Sequence, residues 1–545
     1  MSKCLSWALL TTVVGLIFSA AGCQGPFDEA RYPANRIHDD RLRQVDTLQL
    51  KPAALGDDEP RPTTDSADPL ESLDLSLEES RALALRHNLD LQVQLISPTI
   101  ARQSMSEAEA RFEALLFSGL DLAKGDTPID TGLSGSQTDS RSADVGLRIP
   151  LRTGGMITLD VPVNRSETDN AFSTLNPSYT SDLRASISQP LLRTAGVATN
   201  MHAIRVAGYE TQQVEARTKL EVIRVLAAVD RVYWRLLAAQ RALGVRKQEH
   251  ELARQQLERA RRQVAAGVVA PIEIIRAESG VAERLEAIIV ADNDARDRQR
   301  ELKRVLNKPG AGIGTATVIN PSTEPQPIRF ALDPKHLAQV AETHRMELLD
   351  LELQLAREAS SIDFERNQSL PLVNLNYTYN VNGLGPTASD AFDLLFEKRF
   401  EDHQLGLKVE VPLGNQAARS RLRRATVLRL QTLARRDQRR TQIRQEVFSA
   451  VDRIEATWQR IVANRQRRVL SERGLSAEVR QFEVGMSTST DVLDAQTRLA
   501  AARLAEIVAL AEYQIAQVDL AFATGMMLGA SKIRWEPAVA PQREN

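Results

Sequence analysis

Two cysteines are all this chain of 545 residues has, Cys4 and Cys23. Both stand at the extreme N-terminus, so no disulfide framework holds the chain together. Aromatic residues make up only 4%, too few for a thick globular core. Ala, Leu, Arg, Glu and Gln dominate instead, the profile of long helices and coiled coils. Neither sign of charge prevails: 69 Lys and Arg against 71 Asp and Glu leave −2, with no whole-chain pull toward nucleic acid. The seven histidines are scattered, and no His, Cys and carboxylate group has metal-ligand spacing. Phosphate loops and nucleophile arrangements are missing as well, which argues against an enzyme and against any cofactor. Beyond the first residues no apolar run is long enough to span a bilayer as a helix. Any membrane crossing must therefore be made by β-strands.

The one mostly apolar run, Leu5 to Ala21 after Lys3, is short for a span and reads as a signal peptide over residues 1–22. It ends in Ala20-Ala21-Gly22-Cys23, which resembles a bacterial lipobox with Cys23 as the lipidated first residue, although Ala20 stands where a Leu is usual. Ordinary cleavage leaving a spare thiol is the alternative. Gln24 follows, not the Asp associated with inner-membrane retention, and this favours the outer membrane. Residues 23–72 are rich in Pro, Asp and Arg without apolar periodicity and read as a tether.

The rest of the chain repeats itself. Ala228-Val229-Asp230-Arg231-Val232 returns as Ala450-Val451-Asp452-Arg453-Ile454, and Pro190 returns as Pro412, both at a shift of 222. Gln263, Gly267, Ala277 and Ala282 match Gln481, Gly485, Ala495 and Ala500 at 218; Ala84, His87 and Leu91 match Ala341, His344 and Leu348 at 257. Anchors in one order with changing offsets mean a duplicated unit of about 200 residues, too long for a solenoid motif. The halves are residues 73–308 and 332–525, separated by a Gly- and Pro-rich linker at 309–331 and followed by a tail at 526–545. Each half reads short helix, helix, strands, very long helix, glycine turn, long helix. Ala198–Ala266 and Gln416–Val484 are both proline-free runs of 69 residues, about 100 Å if helical throughout. Ala500, Leu504, Ile507, Ala511, Ile515, Val518 and Phe522 carry the period of a coiled-coil seam. Trp234 and Trp458 recur at nearly equivalent sites and read as packing residues.

Strand patterns lie within about 112–192 and 370–414. In the second half Leu372, Asn374, Asn376, Thr378 and Asn380 face one way, and Val373, Leu375, Tyr377, Tyr379 and Val381 the other. Leu183, Ala185 and Ile187 alternate with Arg184, Ser186 and Ser188; around Phe117 the alternation is looser. One apolar and one polar face over about ten residues fits a membrane barrel strand; a soluble hairpin with one buried face fits as well. Further strand-like material between Asp144 and Pro162 makes the first half longer here, and the pattern leaves open whether it joins the same sheet.

The signal and lipobox, the duplicated helix–strand–helix unit and the lack of enzyme motifs together resemble the TolC family of outer membrane channels over about residues 73–525. Phe482-Glu483-Val484-Gly485, then Asp491-Val492-Leu493-Asp494-Ala495-Gln496, carry the likeness most specifically. Gly267, Pro271-Ile272-Glu273-Ile274-Ile275 and Ala277-Glu278 are the counterpart in the first half. The resemblance implies a mainly α fold with β: a homotrimer in which each copy gives four strands to one 12-stranded membrane β-barrel and its helices continue as a long coiled-coil α-barrel into the periplasm. It implies the outer membrane channel of a tripartite efflux or type I secretion system. Its partners are outer membrane lipids, a periplasmic adaptor and an inner-membrane pump that sets the cargo. A lipid-anchored periplasmic coiled-coil scaffold without a pore is the alternative.

In that family the glycine turns, here at Gly267 and Gly485, lie at the periplasmic tip where the adaptor docks and the pore narrows. Asp491 and Asp494, one helical turn apart, match the aspartates that ring the pore entrance. Helix-start chemistry is the other reading of the same residues. Glu273 stands where the family has a latch Asp, but the positions of its Tyr and Arg partners hold Phe482 and Ser487, so the latch differs here. The arginines from Arg419 to Arg440 face either anionic lipid or solvent.

Overall fold

The computed structural model describes residues 72–129, 135–484 and 486–534. Cys23, the signal segment and nearly all of the tether lie outside the described residues, as does Gly485. The chain starts with a strand, β1 (Ser72–Leu75), then two helices, α1 (Leu77–His87) and α2 (Leu89–Ala110). Ser76 caps α1 through a capping box with Glu79, and Asn88 caps α2, accepting from Leu91 N–H at 2.9 Å. Four strands follow: β2 (Leu115–Asp126), β3 (Gln137–Pro150), β4 (Met156–Thr168) and β5 (Ser178–Pro190). A single turn, α3 (Val197–Asn200), leads into α4 (His202–Ala265), which returns through a tight turn to α5 (Ile272–Leu306).

The second half follows the same plan. It has β6 (Val318–Pro321), α6 (Pro334–His344), α7 (Met346–Gln368), β7 (Leu372–Gly385), a short α8 (Ala388–Phe396) and β8 (Glu401–Glu410). Then come α9 (Gln416–Glu483), α10 (Ser489–Ala523) and a last turn, α11 (Met527–Ala530). The two long helices have 64 and 68 residues, each about 100 Å. The first is shorter than its proline-free run because Met201 leaves helical geometry between α3 and α4.

Three observations depart from the sequence reading. Strands also occur outside the expected windows: β1 pairs with β6 in parallel, held down by Tyr233. Its hydroxyl donates to Leu75 O at 3.0 Å and accepts from Thr323 N–H at 2.8 Å. Four-residue strands are too short to show a period. Second, β3 and β4 join the main sheet, whose order is β2-β3-β4-β5-β7-β8, antiparallel throughout. The copy thus carries six strands in one open sheet, not four. Third, α10 buries two faces. The expected seam turns toward α4, where Val518 joins the core around Leu226, Val229 and Leu302 and Ile515 packs beside Tyr233 and Trp234. A second stripe of Ala509, Tyr513 and Ala516 is fully buried against Ile454 and Ile461 of α9. Trp458 packs there against Tyr513 at 5.6 Å.

The halves lock together where their repeats meet. Arg231 and Arg453, repeat equivalents, both bind Asp519, at 2.8 and 3.1 Å. Arg345, 3% exposed, donates to Phe522 O and Ala523 O, so the last turn of α10 keeps partners for carbonyls that its own helix leaves open.

Candidate functional site

The register of the sheet decides which side chains share a face, because directly opposed residues point the same way. Leu120 opposes Ala143, Ala143 opposes Val163, and Leu159 opposes Ala185. Ala185 in turn opposes Tyr379, and Leu375 opposes Leu407. One face is therefore apolar across all six strands, from Leu116, Leu120 and Leu122 at one edge to Leu405, Leu407 and Val409 at the other. Several of these side chains are uncovered; Leu120 is 71% exposed and Leu405 72%. Toward one end the same face turns charged and aromatic, with Arg165 on Glu167 at 2.6 Å and the Tyr379 hydroxyl on Glu401 at 2.9 Å. α8 packs at that end against β7 and β5. Gly383 admits it: a Cβ there would stand 2.0 Å from Ala391 O.

The opposite face is polar. It carries Asp121, Asp144, Asp160, Asp182, Arg184 and Asp402, together with Asn374, Asn376 and Asn380. Arg184 reaches Asp160 at 3.6 Å, and the Arg148 guanidinium lies 5.0 Å over Phe117. Charges at this density need water or partners, and uncovered leucines on the other side need a non-aqueous neighbour. Strands of 10 to 14 residues have the reach of tilted membrane strands. Among the described residues no helix is long and apolar enough to cross a membrane.

From the sheet the long helices lead to two turns. The first is a Schellman motif: Val268 N–H donates to Gln263 O and Gly267 N–H to Val264 O, both at 2.9 Å. Gly267 sits at φ +71 with nothing near its Cα, so its glycine answers to backbone conformation and not to crowding. The second turn repeats the outer bond, Met486 N–H to Gln481 O at 2.8 Å. Arg261 ties α4 to Glu278 of α5 at 3.1 Å, and Arg284 of α5 donates to Thr497 of α10 at 3.1 Å, so the two hairpins are joined just behind their turns.

The acidic residues near the turns have separate surroundings. Glu273 pairs with Arg276 of its own helix at 2.6 Å. Asp491 is the third residue of a capping box. Its Oδ2 accepts from Thr488 N–H at 2.9 Å and from the Thr488 hydroxyl at 2.6 Å, and its own N–H donates back to that hydroxyl. The Thr488 hydroxyl, then its amide, hold this carboxyl below the ordinary carboxylate range. Thr488, not the residues after it, is the N-cap. Asp494 is exposed one turn further on.

The arginines of α9 divide: Arg419, Arg423 and Arg424, nearest the sheet, are exposed, while others are paired. Arg421 pairs with Glu365, Arg439 with Glu347 and Glu446, and Arg444 with Glu342. Glu342, Glu347 and Glu365 sit on the neighbouring helices α6 and α7, a placement that single-helix reading misses, and Glu446 on α9 itself. Among the described residues no group of His, Cys, Asp and Glu could hold a metal ion.

Comparison with known proteins agrees with this arrangement. No curated protein sequence matches the chain. Solved structures share its fold. The outer membrane channel CmeC of Campylobacter jejuni has a TM-score of 0.62 at 13% identity, covering 88% of this chain and 94% of its own. CusC has a TM-score of 0.61 at 15% identity, covering 88% and 99%. The open state of the outer membrane channel MtrE of Neisseria gonorrhoeae has 0.58 at 14% identity, covering 83% and 89%. Residues 156–308 and 337–526, more than half of the sequence, match the family described as outer membrane efflux protein. The chain belongs to that family.

Proposed function

We propose that this protein is the outer membrane duct of a tripartite efflux or type I secretion system. Three copies form one passive channel, anchored through a lipid on Cys23, that carries substrate from a periplasmic adaptor and an inner-membrane pump to the exterior. The observation that carries this reading is the six-strand sheet with an apolar band running across all six strands on one face and charges on the other, continuous with two helical hairpins. A soluble scaffold has no use for a sheet that leaves its leucines uncovered, whereas a barrel turns that face to lipid and the charged face to a water-filled lumen.

The internal repeat supports closure by further copies. α7 packs between α4 and α9, while its repeat counterpart α2 packs on α4. Val93 and Ile100 of α2 occupy the repeat positions of Asp350 and Arg357, which in α7 bind Arg217 and Glu210 of α4. Both are uncovered, at 70% and 60%. Val427 of α9 occupies the repeat position of Arg205, which in α4 meets Ser360 of α7, and it too is uncovered. A neighbouring copy's α9 covers α2 as α4 covers α7, and the ring closes head to tail.

At the tip, the turns at Gly267 and Gly485 receive the adaptor, and Asp491 and Asp494 of three copies ring the entrance. Glu273, bonded within its own helix, contributes less. The test is purified protein in planar bilayers. Cation-selective pores are expected, and Asp491→Ala with Asp494→Ala should weaken the selectivity and the block by multivalent cations, most at neutral pH and low salt. Absence of any pore would favour the anchored scaffold. Pores with unchanged selectivity in the double variant would leave the two aspartates as helix-start residues.

A further inference from the structure

We infer that all six strands of each copy enter the membrane wall, so that three copies close an eighteen-stranded barrel, with β8 of one copy paired to β2 of the next. The inference rests on the channel reading above. It departs from the four strands per copy that the family resemblance implies. The match to the family begins at Met156, the first residue of β4, so β2 and β3 lie outside it.

Four observations carry it. First, the pairing keeps one phase from β2 to β8, including across the two pairs missing between Asp160 and Val163 of β4, and from Ala143 onward the inner strands obey the same two-faced rule as their neighbours. Val145 and Leu159 lie on the apolar face; Asp144 and Asp160 lie on the polar one. A hairpin folded away from the wall would not need an apolar face in phase with the rest. Second, the polar face stitches those strands to both sides, by Arg148 of β3 over Phe117 of β2 and Asp160 of β4 to Arg184 of β5. Third, the open edges of the sheet are β2 and β8, and six strands of alternating direction make these two antiparallel when identical copies follow one another. Six strands alone cannot close, since a barrel that narrow has an interior filled by side chains, and this interior is charged.

Fourth, the repeat fixes the register of the seam. At the boundary between the halves Pro190 of β5 opposes Asn374 of β7. Moving that pair on by the repeat puts Pro412 opposite Phe117 of the next copy. Leu407 then faces Leu122 and Val409 faces Leu120. These pairings place apolar residues of both edges on one face, and a slip of one residue would reverse it. Barrel diameter grows roughly in proportion to strand number. The outer mouth is then about one and a half times as wide as that of a twelve-stranded barrel, which suits bulkier cargo at the membrane.

The test uses the full-length protein in membranes carrying Leu122→Cys with Leu407→Cys. Oxidation should give covalent dimers and trimers, absent in either single variant. A crosslink from Leu407→Cys to Leu159→Cys in place of Leu122→Cys would put β4 at the seam and overturn the proposal. Polymer exclusion from the barrel side gives a second readout. A variant joining Asp126 to Ser178, which omits β3 and β4, should exclude polymers about two thirds the radius that wild type admits. Equal cut-offs would also overturn it. A protein with no pores and no crosslinks would defeat the channel reading itself, whereas pores with the β4 seam would defeat only the strand count.

Discussion

Asp491 caps α10 through its charged form, and the proposed pore ring relies on the same charge. In the capping box its charged form accepts two hydrogen bonds from Thr488, which keeps it ionised below the ordinary carboxylate range. A depressed folded pKa means stabilisation that is present above the unfolded value and is lost as pH falls through the folded one. Protection of the amides at the start of α10 should therefore begin to fall as pH drops through the ordinary carboxylate range and be lost fully only below it, where the folded carboxyl protonates. In Asp491→Asn that acid transition should vanish, while Asp494→Asn should leave it in place and alter only selectivity. A loss of the transition in Asp494→Asn would mean that the two carboxylates act as one unit. The spacing of this pair was legible in the sequence; the cap at Thr488 was not, because four hydroxyl residues in a row, Ser487 to Thr490, offer equal candidates and only backbone geometry chooses. Arg345 was invisible for another reason. Its carbonyl partners on α10 are some 180 residues away in the chain, and no local pattern marks a side chain that caps a remote helix.

Elements were legible in proportion to their periodicity. The long helices, the repeat and the alternation of β5, β7 and β8 all carry a period that survives in one sequence. β3 begins Gln137-Thr138-Asp139-Ser140-Arg141-Ser142, polar on both faces, so half of that strand leaves no alternation to read. The second stripe of α10 is built largely from alanines, which a seam pattern tuned to larger side chains passes over. The glycine turns were found by their repetition, and at Gly267 the geometry supplies the cause. Gly267 stands in open space at φ +71, so Gly267→Val costs only the left-handed backbone, about 1–2 kcal/mol. Gly267→Asn should cost less, since Asn tolerates that conformation. The loss should stay local: faster amide exchange at Gly267 and Val268, with the thermal midpoint of the whole protein unchanged. A lowered midpoint would mean that the tip takes part in global folding. An adaptor that docks on this turn should bind the Val variant more weakly than the Asn variant.

At the scale of the whole molecule, one copy leaves edges and apolar surface that the proposed ring would cover. Its sheet has two open edges, and the uncovered face of α2 presents Leu89, Val93, Ile96 and Ile100 at intervals of four, three and four residues. That is an apolar stripe with helical period and no partner among the described residues of its own copy. The repeat supplies the missing neighbour, because α7 shows how such a helix is held from both sides. In the proposed ring, burying the stripe under α9 of the next copy would be favourable at about 25 cal/mol per Å² of apolar surface, repeated at each junction. Val93→Asp with Ile100→Asp puts two carboxylates into that seam, where each must be desolvated or the helices part. The stripe is exposed within one copy, so the substitutions should leave the single copy folded, with helix content by circular dichroism unchanged. Native mass spectrometry of the detergent-extracted protein should shift from trimer to single copies. Val427→Asp, on the other side of the same junction, should act in the same direction. Adding Gln103→Lys to Val427→Asp should restore part of the trimer, because Gln103 is the repeat counterpart of Ser360, which Arg205 meets, and opposite charges across the seam replace a lone charge with an ion pair. A double Asp variant that stays fully trimeric would show that α2 lies outside the ring and that its stripe serves another partner.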